Sequence, residues 1–395
     1  MTQHSAFDWA DALLLVSDLT DDARAVQATA RDFARDRLLP GIVEANRSAH
    51  FDRQIMKDMG ALGLLGPTLP EEYGGAGASF EICQLVIEEI SRQGFGGICG
   101  GYNIHANIVM PYLLHIGNAK QKDYWLPKMV DGSVLGAIAM TEPGAGSDLA
   151  AMRTTAERTD SGWKINGSKI FITNGLLADM VIVCAKTDPS AGAKGISLFL
   201  VDANTSGFSR GKGIKKIGQH SSDTAELFFD DLHISHEALL GEENLGFVYL
   251  MQELPRERLG VASQALGAME GALQLTLDYV QERKAFKQRI ADFQNTRFKL
   301  AEVKAQMELG RAYFDQCMAK YSRGEMTATD AAVLKLMLSE MQCQTINECL
   351  QLFGGYGYTT EYPISRFYVD ARIQTIYAGT SEIMKEVIAR SLLGK

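Results

Sequence analysis

The sequence predicts a multidomain α+β protein in which a helical domain, a β-domain and a helical bundle follow one another. Residues from 20 onwards read as helical, because Thr20 is a good N-cap and two aspartates occupy the first turn behind it. Short apolar, β-prone runs such as MVIVCAKT and GISLFLVD follow, and the turn residues between them indicate a small barrel or sandwich. Apolar side chains then return at every third or fourth position, as in long antiparallel helices. We expect the three domains at residues 1–135, 136–245 and 246–395.

Individual helices can be located from their start and stop signals. A second helix is expected near residues 53–62, before the Gly/Pro-rich stretch GLLGPTLPEEYGGAGAS, and Ser79 begins a third, SFEICQLVIEEISRQ. In the last domain, apolar stripes run over residues 259–280 and 300–321. A β-domain between two helical domains is an unusual order, and it narrows the choice of fold.

The composition is that of an ordinary globular protein of two or three domains. The chain has 395 residues, of which 46% are hydrophobic and 22% charged, enough for a sizeable core. Its 39 basic and 48 acidic side chains give a net charge of −9, whereas a nucleic-acid partner usually requires a basic surface. We therefore expect no nucleic-acid partner, although local cations and backbone amides could still hold a phosphorylated ligand.

Cysteine usage and the N-terminal segment bear on location. Six cysteines occur without a CxxC pair, which is typical of reduced core residues in a cytosolic protein. His233 and His236 have no third ligand near them in the sequence, so we expect no metal site. No apolar run reaches the roughly 20 residues of a membrane span. Because MTQHSAFDWADALLL is acidic and lacks the arginines of a transit peptide, we expect a bacterial cytoplasmic protein, or a mitochondrial matrix protein if the chain is trimmed.

Two glycine-rich loops fail the tests for nucleotide-binding fingerprints. The loop TEPGAGSD (141–148) has Leu149 at the third glycine position of GxGxxG and lacks the GK[ST] ending of a P-loop. The loop FGGYGY (353–358) follows a helix rather than a strand. Each is by itself most simply a turn. The first, however, leaves Thr141 and Ser147 beside backbone amides that can bind carbonyls and phosphates without net positive charge.

Eight segments, taken together, resemble the acyl-CoA dehydrogenases in order and spacing: GAIAMTEPGAGSDL, NGSKIFITNG, GISLFLV, DTAELFFDD, LLGEENLGF, ERKAF, QLFGGYGY and IYAGTSEIMKEVIAR. The long-chain and isovaleryl branch is nearest, partly through LPRERL, whereas FDWADALLL resembles the glutaryl-CoA branch. The resemblance implies a helical domain, a β-domain and a four-helix bundle, assembled as a homotetramer. It also implies noncovalently bound FAD, oxidation of an acyl-CoA to the trans-2-enoyl-CoA in fatty acid β-oxidation, and electron-transfer flavoprotein as the electron acceptor.

The resemblance assigns residues to the FAD. Segments around TEPGAGSD and ITN resemble those that hold the flavin ring, at Ile138, Met140, Thr141, Ser147, Phe171 and Thr173. A second group resembles the residues with which a neighbouring subunit binds the FAD pyrophosphate and adenine: Arg283, Phe286, Gln294, Gln351, Gly354, Gly355, Thr380 and Glu382. The family usually has glycine after that phenylalanine. This chain has Lys287, so the turn there can differ.

The catalytic base is expected at Glu257. Many family members carry a glutamate at the position of Ala378 in the IYxGT turn, and alanine cannot remove a proton. In the long-chain and isovaleryl branch the glutamate lies where LPRERL has Glu257, and Pro255 as the first residue of a helix would put it in the first turn. The alternative is that an acid there only complements the helix dipole, and Glu253 lies nearby.

The other substrate contacts follow from the same resemblance. Ser147 would lie where flavin and CoA cross, Arg258 would face the CoA, and Tyr377 belongs to the substrate-binding turn. The backbone N–H of Ala378 would meet the thioester oxygen, because the reaction needs donors for an enolate-like oxygen as well as a carboxylate base. The flavin would take the β-hydrogen as hydride.

The expected substrate is a medium-chain, long-chain or branched acyl-CoA. Glutaryl-CoA enzymes anchor the distal carboxylate with an arginine, and the matching position here is Cys99, with Arg92 nearer only in a shifted alignment. Small residues around the expected acyl site are interpreted as room for a long or branched chain, or else only as a looser loop: Gly94, Gly96, Gly97, Gly100 and Gly101.

Other functions remain open from the sequence. A glutaryl-CoA-type dehydrogenase is one alternative. Flavin-dependent oxidases and monooxygenases share the fold, although they usually lack a base at both positions. A non-enzymatic acyl-CoA-binding protein would follow if loss of the acid at position 378 had ended catalysis.

Overall fold

The computed structural model describes residues 19–394 of the chain. The segment FDWADALLL therefore lies outside the described residues. Along the described chain, helices extend to residue 130, one mixed sheet occupies residues 136–240, and helices return from residue 246. The predicted order of helical domain, β-domain and helical bundle is confirmed.

Seven α-helices form the described part of the chain before the sheet. The first begins as predicted, since the Thr20 hydroxyl accepts a hydrogen bond from the Ala23 N–H at 3.2 Å. The π-helical segment Asn103–Val109 joins the fifth helix to the sixth. The helices are α1 Asp21–Phe33, α2 Ile42–Ser48, α3 Gln54–Ala61, α4 Phe80–Arg92, α5 Gly96–Tyr102, α6 Met110–Ile116 and α7 Ala119–Val130.

Eight strands form the central sheet. Their spatial order is β6-β7-β3-β2-β4-β5-β8, and β1 pairs in parallel with β4 at the side of this path. The pair β2–β4 is also parallel, whereas the other pairs are antiparallel. The strands are β1 Gly136–Ala139, β2 Thr155–Thr159, β3 Gly162–Thr173, β4 Met180–Lys186, β5 Ile196–Asp202, β6 Phe208–Gly213, β7 Thr224–Ser235 and β8 Leu239–Leu240.

Strand β4 is buried on both faces, which explains its uninterrupted apolar sequence. Met180, Ile182 and Cys184 belong to the core shared with the N-terminal helices. Val181 and Val183 belong to the separate core on the other face of the sheet. Continuous apolar runs are typical of strands covered on both sides. The sheet is therefore held against the N-terminal helices along its centre.

The last part of the chain is a four-helix bundle. Helix α10 packs against α8, α9 and α12, and a short hairpin of β9 and β10 connects α8 to α9. The elements are α8 Gly246–Glu282, β9 Lys284–Ala285, β10 Gln288–Arg289, α9 Gln294–Ser322, α10 Ala328–Phe353, α11 Pro363–Ala371 and α12 Ser381–Leu393. No helix within residues 19–394 is both long and apolar enough to cross a membrane.

The expectation that Pro255 begins a helix is wrong. Helix α8 already begins at Gly246, so both Pro255 and Glu257 lie in its interior. A proline there leaves the carbonyl four residues earlier without its helical N–H partner. That residue, Met251, is 40% exposed, so water can donate a hydrogen bond to its carbonyl. The preceding turn is held in place because Leu250 is buried in the core. Glu257 therefore lies outside the first turn, where the helix dipole would favour an acid.

A buried network of charges joins the N-terminal helices to the bundle. Arg311 of α9 donates to the two carboxylate oxygens of Glu88 at 2.9 and 2.8 Å, and to Glu270 of α8 at 2.9 Å. Arg92 of α4 bonds to Glu89 at 3.0 Å and also to Glu270. Because an unpaired buried charge is costly, each member depends on the others. The network fixes the position of α8 relative to α4.

Candidate active site

A buried carboxylate, Glu257, lies in the interior of α8. It is 4% exposed, and its Oε1 accepts a hydrogen bond from the Tyr112 hydroxyl of α6 at 2.9 Å. Burial raises the pKa of Glu257 to about 7; the Tyr112 hydrogen bond opposes the rise, Glu253 adds to it, and Arg258 opposes it. A carboxylate with a pKa near neutrality is well matched to taking a proton from a carbon acid.

The second acid on this part of α8 has a different environment. Glu253 lies one turn before Glu257, and the Nδ1 of His115 is 2.6 Å from its Oε1. The His115 side chain is 43% exposed, so this pair is close to solvent and already satisfied. Glu257 is the more deeply buried of the two carboxylates, and its partner is a tyrosine hydroxyl rather than a histidine. It is therefore the better candidate for a base.

The turn at residues 377–380 lies against the part of α8 that carries Glu257. Lys335 of α10 is fully buried and donates to the carbonyl of Gly379 at 2.6 Å. The Nη2 of Arg258 is 3.8 Å from the position that a Cβ on Gly379 would occupy. The fold has therefore brought together the two segments at which the family is expected to carry its base.

Ala378 has no polar side-chain atom, so it can contribute only its backbone groups to this site. Its φ of 52° is left-handed, a conformation that costs most side chains energy. The Tyr377 hydroxyl lies 3.3 Å from the Gln264 Oε1 of α8, and Thr380 caps α12 by accepting from the Ile383 N–H at 3.3 Å. The turn is thus held on both sides of Ala378, and it contains no carboxylate.

The loop TEPGAGSD leaves the end of β1, and Glu142 holds it in shape. The Glu142 carboxylate accepts hydrogen bonds from the backbone N–H groups of Arg153 at 2.6 Å and Thr154 at 2.9 Å. It also accepts from the buried Lys169 at 2.9 Å, and Lys169 donates to the Met140 carbonyl at 3.0 Å. The shape of the loop is therefore fixed by protein contacts.

The residues expected at the flavin ring gather around this loop. The Ile170 N–H donates to the Thr141 carbonyl at 2.9 Å, which brings the loop next to Phe171 on β3. Phe171 is 61% exposed and has a left-handed φ of 61°. An exposed aromatic ring beside half-buried hydroxyls fits a flat ligand with a polar edge. The expected residues at this place are Ile138, Met140, Thr141, Phe171 and Thr173, with Ser147 exposed further along the loop.

Glu257 and the TEPGAGSD loop are both close to one residue of β4. Cys184 is fully buried, and burial raises the pKa of its thiol to about 12. Lys169 lowers this pKa, while Glu257 and Glu142 raise it. All three charges are therefore close to Cys184. The expected base and the loop that holds the expected flavin ring thus belong to one site.

Only some of the residues expected to bind the FAD pyrophosphate and adenine line a common cleft. A cleft of about 680 Å³ lies where α8 ends, α9 begins and α10 ends. Its lining includes Arg283, Gln351, Gly354, Gly355 and Tyr356. A cation, an amide and bare backbone suit a phosphate-bearing ligand. The other expected residues do not line this cleft: Phe286, Gln294, Thr380 and Glu382.

The hairpin after α8 keeps a tight turn without glycine. Phe286 and Lys287 have φ values of 51° and 67°, and two left-handed central residues are typical of a type I′ turn, which prefers glycine. Lys287 therefore adopts the conformation in which glycine would be unstrained. Phe286, at the tip, is 91% exposed.

The glycines expected to open the acyl site are mostly covered by protein. A Cβ at four of them would lie 2.7–2.9 Å from a neighbouring residue: Gly94, Gly96, Gly97 and Gly101. At Gly100 the nearest atom would be 3.7 Å away. The four glycines therefore let neighbours such as Phe367 and Asp370 pack closely. Their interpretation as room for a long chain is wrong, and only at Gly100 would a Cβ fit without a clash.

Neither residue near the glutaryl-type position offers a free cation. Cys99 is fully buried and its thiol donates to the Ile87 carbonyl at 3.6 Å. Arg92 is bonded to Glu89 and Glu270. A distal carboxylate would have to compete with both acids for Arg92.

Sequence reasoning missed two residues of this site. Lys335 had a signal, since a lysine within the apolar run AAVLKLML lies on a helix face that should be buried. Tyr112 had none, because its partner Glu257 is 145 positions away and only the fold joins them.

A metal site needs several ligating side chains close together. Within residues 19–394, no three side chains among histidine, cysteine, aspartate and glutamate come together in a way that could hold an ion.

Three domain models match the chain almost end to end. They are described as the acyl-CoA dehydrogenase N-terminal domain, matched over residues 20–133, the middle domain, over residues 137–232, and the C-terminal domain, over residues 244–393.

Similar proteins agree with these matches. The mitochondrial long-chain specific acyl-CoA dehydrogenase of Sus scrofa is 45% identical over 366 residues, which cover 92% of this chain and 84% of the relative. The mitochondrial isovaleryl-CoA dehydrogenase of Pongo abelii is 38% identical over 390 residues, or 97% and 92% of the two chains. The crystal structure of an acyl-CoA dehydrogenase from Geobacillus kaustophilus superimposes with a TM-score of 0.92 at 41% identity, covering 95% of this chain and 99% of that one.

Proposed function

Because the chain belongs to the acyl-CoA dehydrogenase family, we propose that it dehydrogenates a medium-chain, long-chain or branched acyl-CoA with Glu257 as the base. It is a flavoprotein oxidoreductase that acts on acyl-CoA, and FAD is the cofactor of the family. The proposed product is the trans-2-enoyl-CoA, formed in the first oxidation of fatty acid β-oxidation.

One observation carries the assignment of the base. Glu257 is enclosed, and burial brings its pKa to about 7, whereas Ala378 has no acid and Glu253 is already paired. In the proposed reaction, Glu257 takes the α-proton, and the electrons of that C–H bond form the new double bond. The β-hydrogen leaves with its electron pair. Glu257 therefore has to be ionised at the start and protonated at the end, which a pKa near neutrality allows.

The residues around the sheet and the cleft fit FAD. The flavin would meet the backbone of Met140, the hydroxyls of Thr141 and Thr173, and the exposed ring of Phe171. The phosphates would meet the cation of Arg283. When bound, FAD would accept the β-hydrogen as hydride. Further proposed contacts are Ile138, Ser147, Gln351, Gly354 and Gly355, and, from elements outside the cleft, Phe286, Gln294, Thr380 and Glu382.

The thioester is proposed to bind at the turn 377–380. The Ala378 N–H would donate to the thioester oxygen, which becomes negative as the α-proton leaves. The buried cations Lys335 and Arg258 lie behind this turn and favour negative charge at it. Tyr377 and Ser147 complete the proposed substrate contacts.

The acyl group is proposed to be a simple chain rather than a dicarboxylate. Arg92 is bonded to two glutamates and Cys99 is uncharged, so neither residue offers a free cation to a distal carboxylate. The long-chain relative at 45% identity supports the same class. We further propose a homotetramer, electron-transfer flavoprotein as the electron acceptor, and the cytoplasm of a bacterium as the location.

Anaerobic flavin bleaching tests this function. The purified holoprotein is mixed in turn with butanoyl-, dodecanoyl-, palmitoyl-, isovaleryl-, citronellyl- and glutaryl-CoA, and the oxidised flavin band is followed. Fast bleaching by straight-chain or branched thioesters is expected, and the ranking defines the preferred chain. Bleaching by glutaryl-CoA alone would overturn the proposed substrate class. No bleaching by any thioester would overturn the activity, and rapid oxygen consumption would then favour an oxidase.

A further inference from the structure

The Tyr112 hydroxyl contacts the proposed base directly. Within residues 19–394, Tyr112 is the residue that donates a hydrogen bond to Glu257, with its hydroxyl 2.9 Å from Oε1. Tyr112 is 1% exposed and Glu257 is 4% exposed, so water does not compete freely for this bond. A hydrogen bond to a charged group is stronger than one between neutral groups. The tyrosine therefore favours one orientation of the carboxylate and its ionised form.

Two contacts set how α6 lies against α8. Tyr112 meets Glu257, and His115, one turn later on α6, meets Glu253, one turn earlier on α8. The two helices therefore run antiparallel here and are matched turn by turn. The π-helical segment Asn103–Val109 directly precedes α6, and such wide turns rotate the following helix face relative to a regular helix. The position of Tyr112 is thus determined by several contacts rather than by one flexible side chain.

We propose that Tyr112 is a positioning residue for Glu257: its hydrogen bond to one carboxylate oxygen keeps the carboxylate ionised before substrate binds and leaves the other oxygen to accept the proton from the substrate α-carbon. The inference rests on the proposed function, since it concerns the base named there. Tyr112 donates to Oε1 only, which leaves Oε2 as the oxygen that accepts the proton. The tyrosine keeps its own proton throughout, because burial raises the pKa of its hydroxyl well above the usual value.

Other charged and titratable groups lie near Glu257, both on α8 itself and on the elements packed against it. On α8 itself, Glu253 disfavours the ionised carboxylate and Arg258 favours it. From β4, the buried Cys184 thiol faces the same region and is uncharged at neutral pH. From α6, the Tyr112 hydrogen bond is the largest influence that favours ionisation. Its loss leaves burial and Glu253 to raise the pKa of Glu257 further.

The test is Tyr112→Phe, which removes the hydroxyl and keeps the ring. The matched control is Tyr102→Phe, because Tyr102 is equally buried and its hydroxyl donates to the Leu64 carbonyl at 2.8 Å rather than to the base. The pH dependence of kcat/KM reports the free enzyme. With the holoenzyme, Tyr112→Phe is expected to shift the acidic limb upward by about one pH unit and to lower kcat/KM about tenfold well below the midpoint. Above the midpoint it should approach the wild-type value.

A second readout does not depend on turnover. Infrared difference spectra of the holoprotein, recorded during a pH titration with Glu257→Gln as the blank, report protonation of the Glu257 carboxyl directly. Tyr112→Phe is expected to move this titration upward, and Tyr102→Phe is expected to leave it in place.

The outcomes separate the inference from the function on which it rests. If the wild type turns over and Tyr112→Phe loses activity equally at all pH values, with the carboxyl titration unmoved, Tyr112 is only structural and the inference is overturned. If the wild type oxidises no thioester, the proposed function fails. The infrared titration then still decides whether Tyr112 controls ionisation of Glu257.

Discussion

Lys335 is fully buried and its Nζ donates to the carbonyl of Gly379 at 2.6 Å, so a lysine of α10 holds the turn that lies against Arg258, the residue next to the proposed base. Burial lowers the pKa of Lys335 to about 8, and Arg258 acts in the same direction. Lys335→Met should therefore keep or raise the unfolding temperature at pH 7, since it removes a costly buried cation. It should also weaken acyl-CoA binding and turnover about tenfold or more, because the turn loses its anchor and its positive charge.

Equilibrium titration of the holoenzyme with acyl-CoA and thermal unfolding would measure the two effects separately. Lys385→Met, on the exposed face of α12, is the control and should change neither. Unaltered binding and turnover in Lys335→Met would show that the lysine does not support the turn.

The environment of Glu257 should cost the protein stability. Its pKa is about 7 in the folded state against an ordinary value of 4.5, so the folded protein binds more protons than the unfolded chain between these values. The pKa shift of Glu257 therefore costs no stability below pH 4.5, and the free energy of unfolding decreases as the pH rises from there to about 7. Glu257→Gln does not titrate, and it should be more stable than the wild type near pH 8, by ~3 kcal/mol at most. The two proteins should converge near pH 4.

Thermal unfolding from pH 4 to pH 8 checks this prediction. The control Glu302→Gln lies on the exposed surface of α9 and should follow the wild type across the range. A Glu257→Gln variant that is less stable than the wild type at pH 8 would mean that the ionised Glu257 is held in a stabilising environment, and the predicted cost of its burial would be wrong.

The hairpin turn should relax when its second residue becomes glycine. Lys287 has a left-handed φ of 67°, which costs ~1–2 kcal/mol for a residue with a side chain. Lys287→Gly should therefore increase hydrogen-exchange protection of the hairpin, in particular of the Ile290 N–H, which donates to the Arg283 carbonyl at 2.8 Å. Lys284→Gly, in β9, should lower that protection, since a strand residue gains nothing from glycine. Equal effects of the two variants would refute the idea of strain at Lys287.

Local signals in the sequence were enough for most of the fold. The Thr20 cap, the strand runs and the two long apolar stripes act over a few residues, and they predicted the elements in which they occur. The start of α8 was misjudged at Pro255, because burial of Leu250 outweighs the local preference of proline. The glycines near the acyl site were misread for a related reason. Whether a missing side chain leaves space or a close contact depends on residues such as Phe367, distant in the sequence.

The site itself was predictable only where a motif carries it. The resemblance named Glu257 and the TEPGAGSD loop, but it gave neither Tyr112 nor Lys335. Both act through long-range contacts, from Tyr112 to Glu257 and from Lys335 to Gly379. Such contacts exist only after the helices have packed.

The assignment of Glu257 as the base is tested most directly by anaerobic single-turnover reduction of the bound flavin with the best thioester substrate. Glu257→Gln is compared with Glu253→Gln, which alters the other carboxylate on the same helix face. If Glu257 is the base, Glu257→Gln should retain FAD and bind acyl-CoA but slow flavin reduction about 10²–10⁴-fold. Glu253→Gln should stay within about tenfold of the wild type, the size of effect expected from one neighbouring charge. Near-normal reduction in Glu257→Gln, or an equal loss in Glu253→Gln, would contradict the assignment.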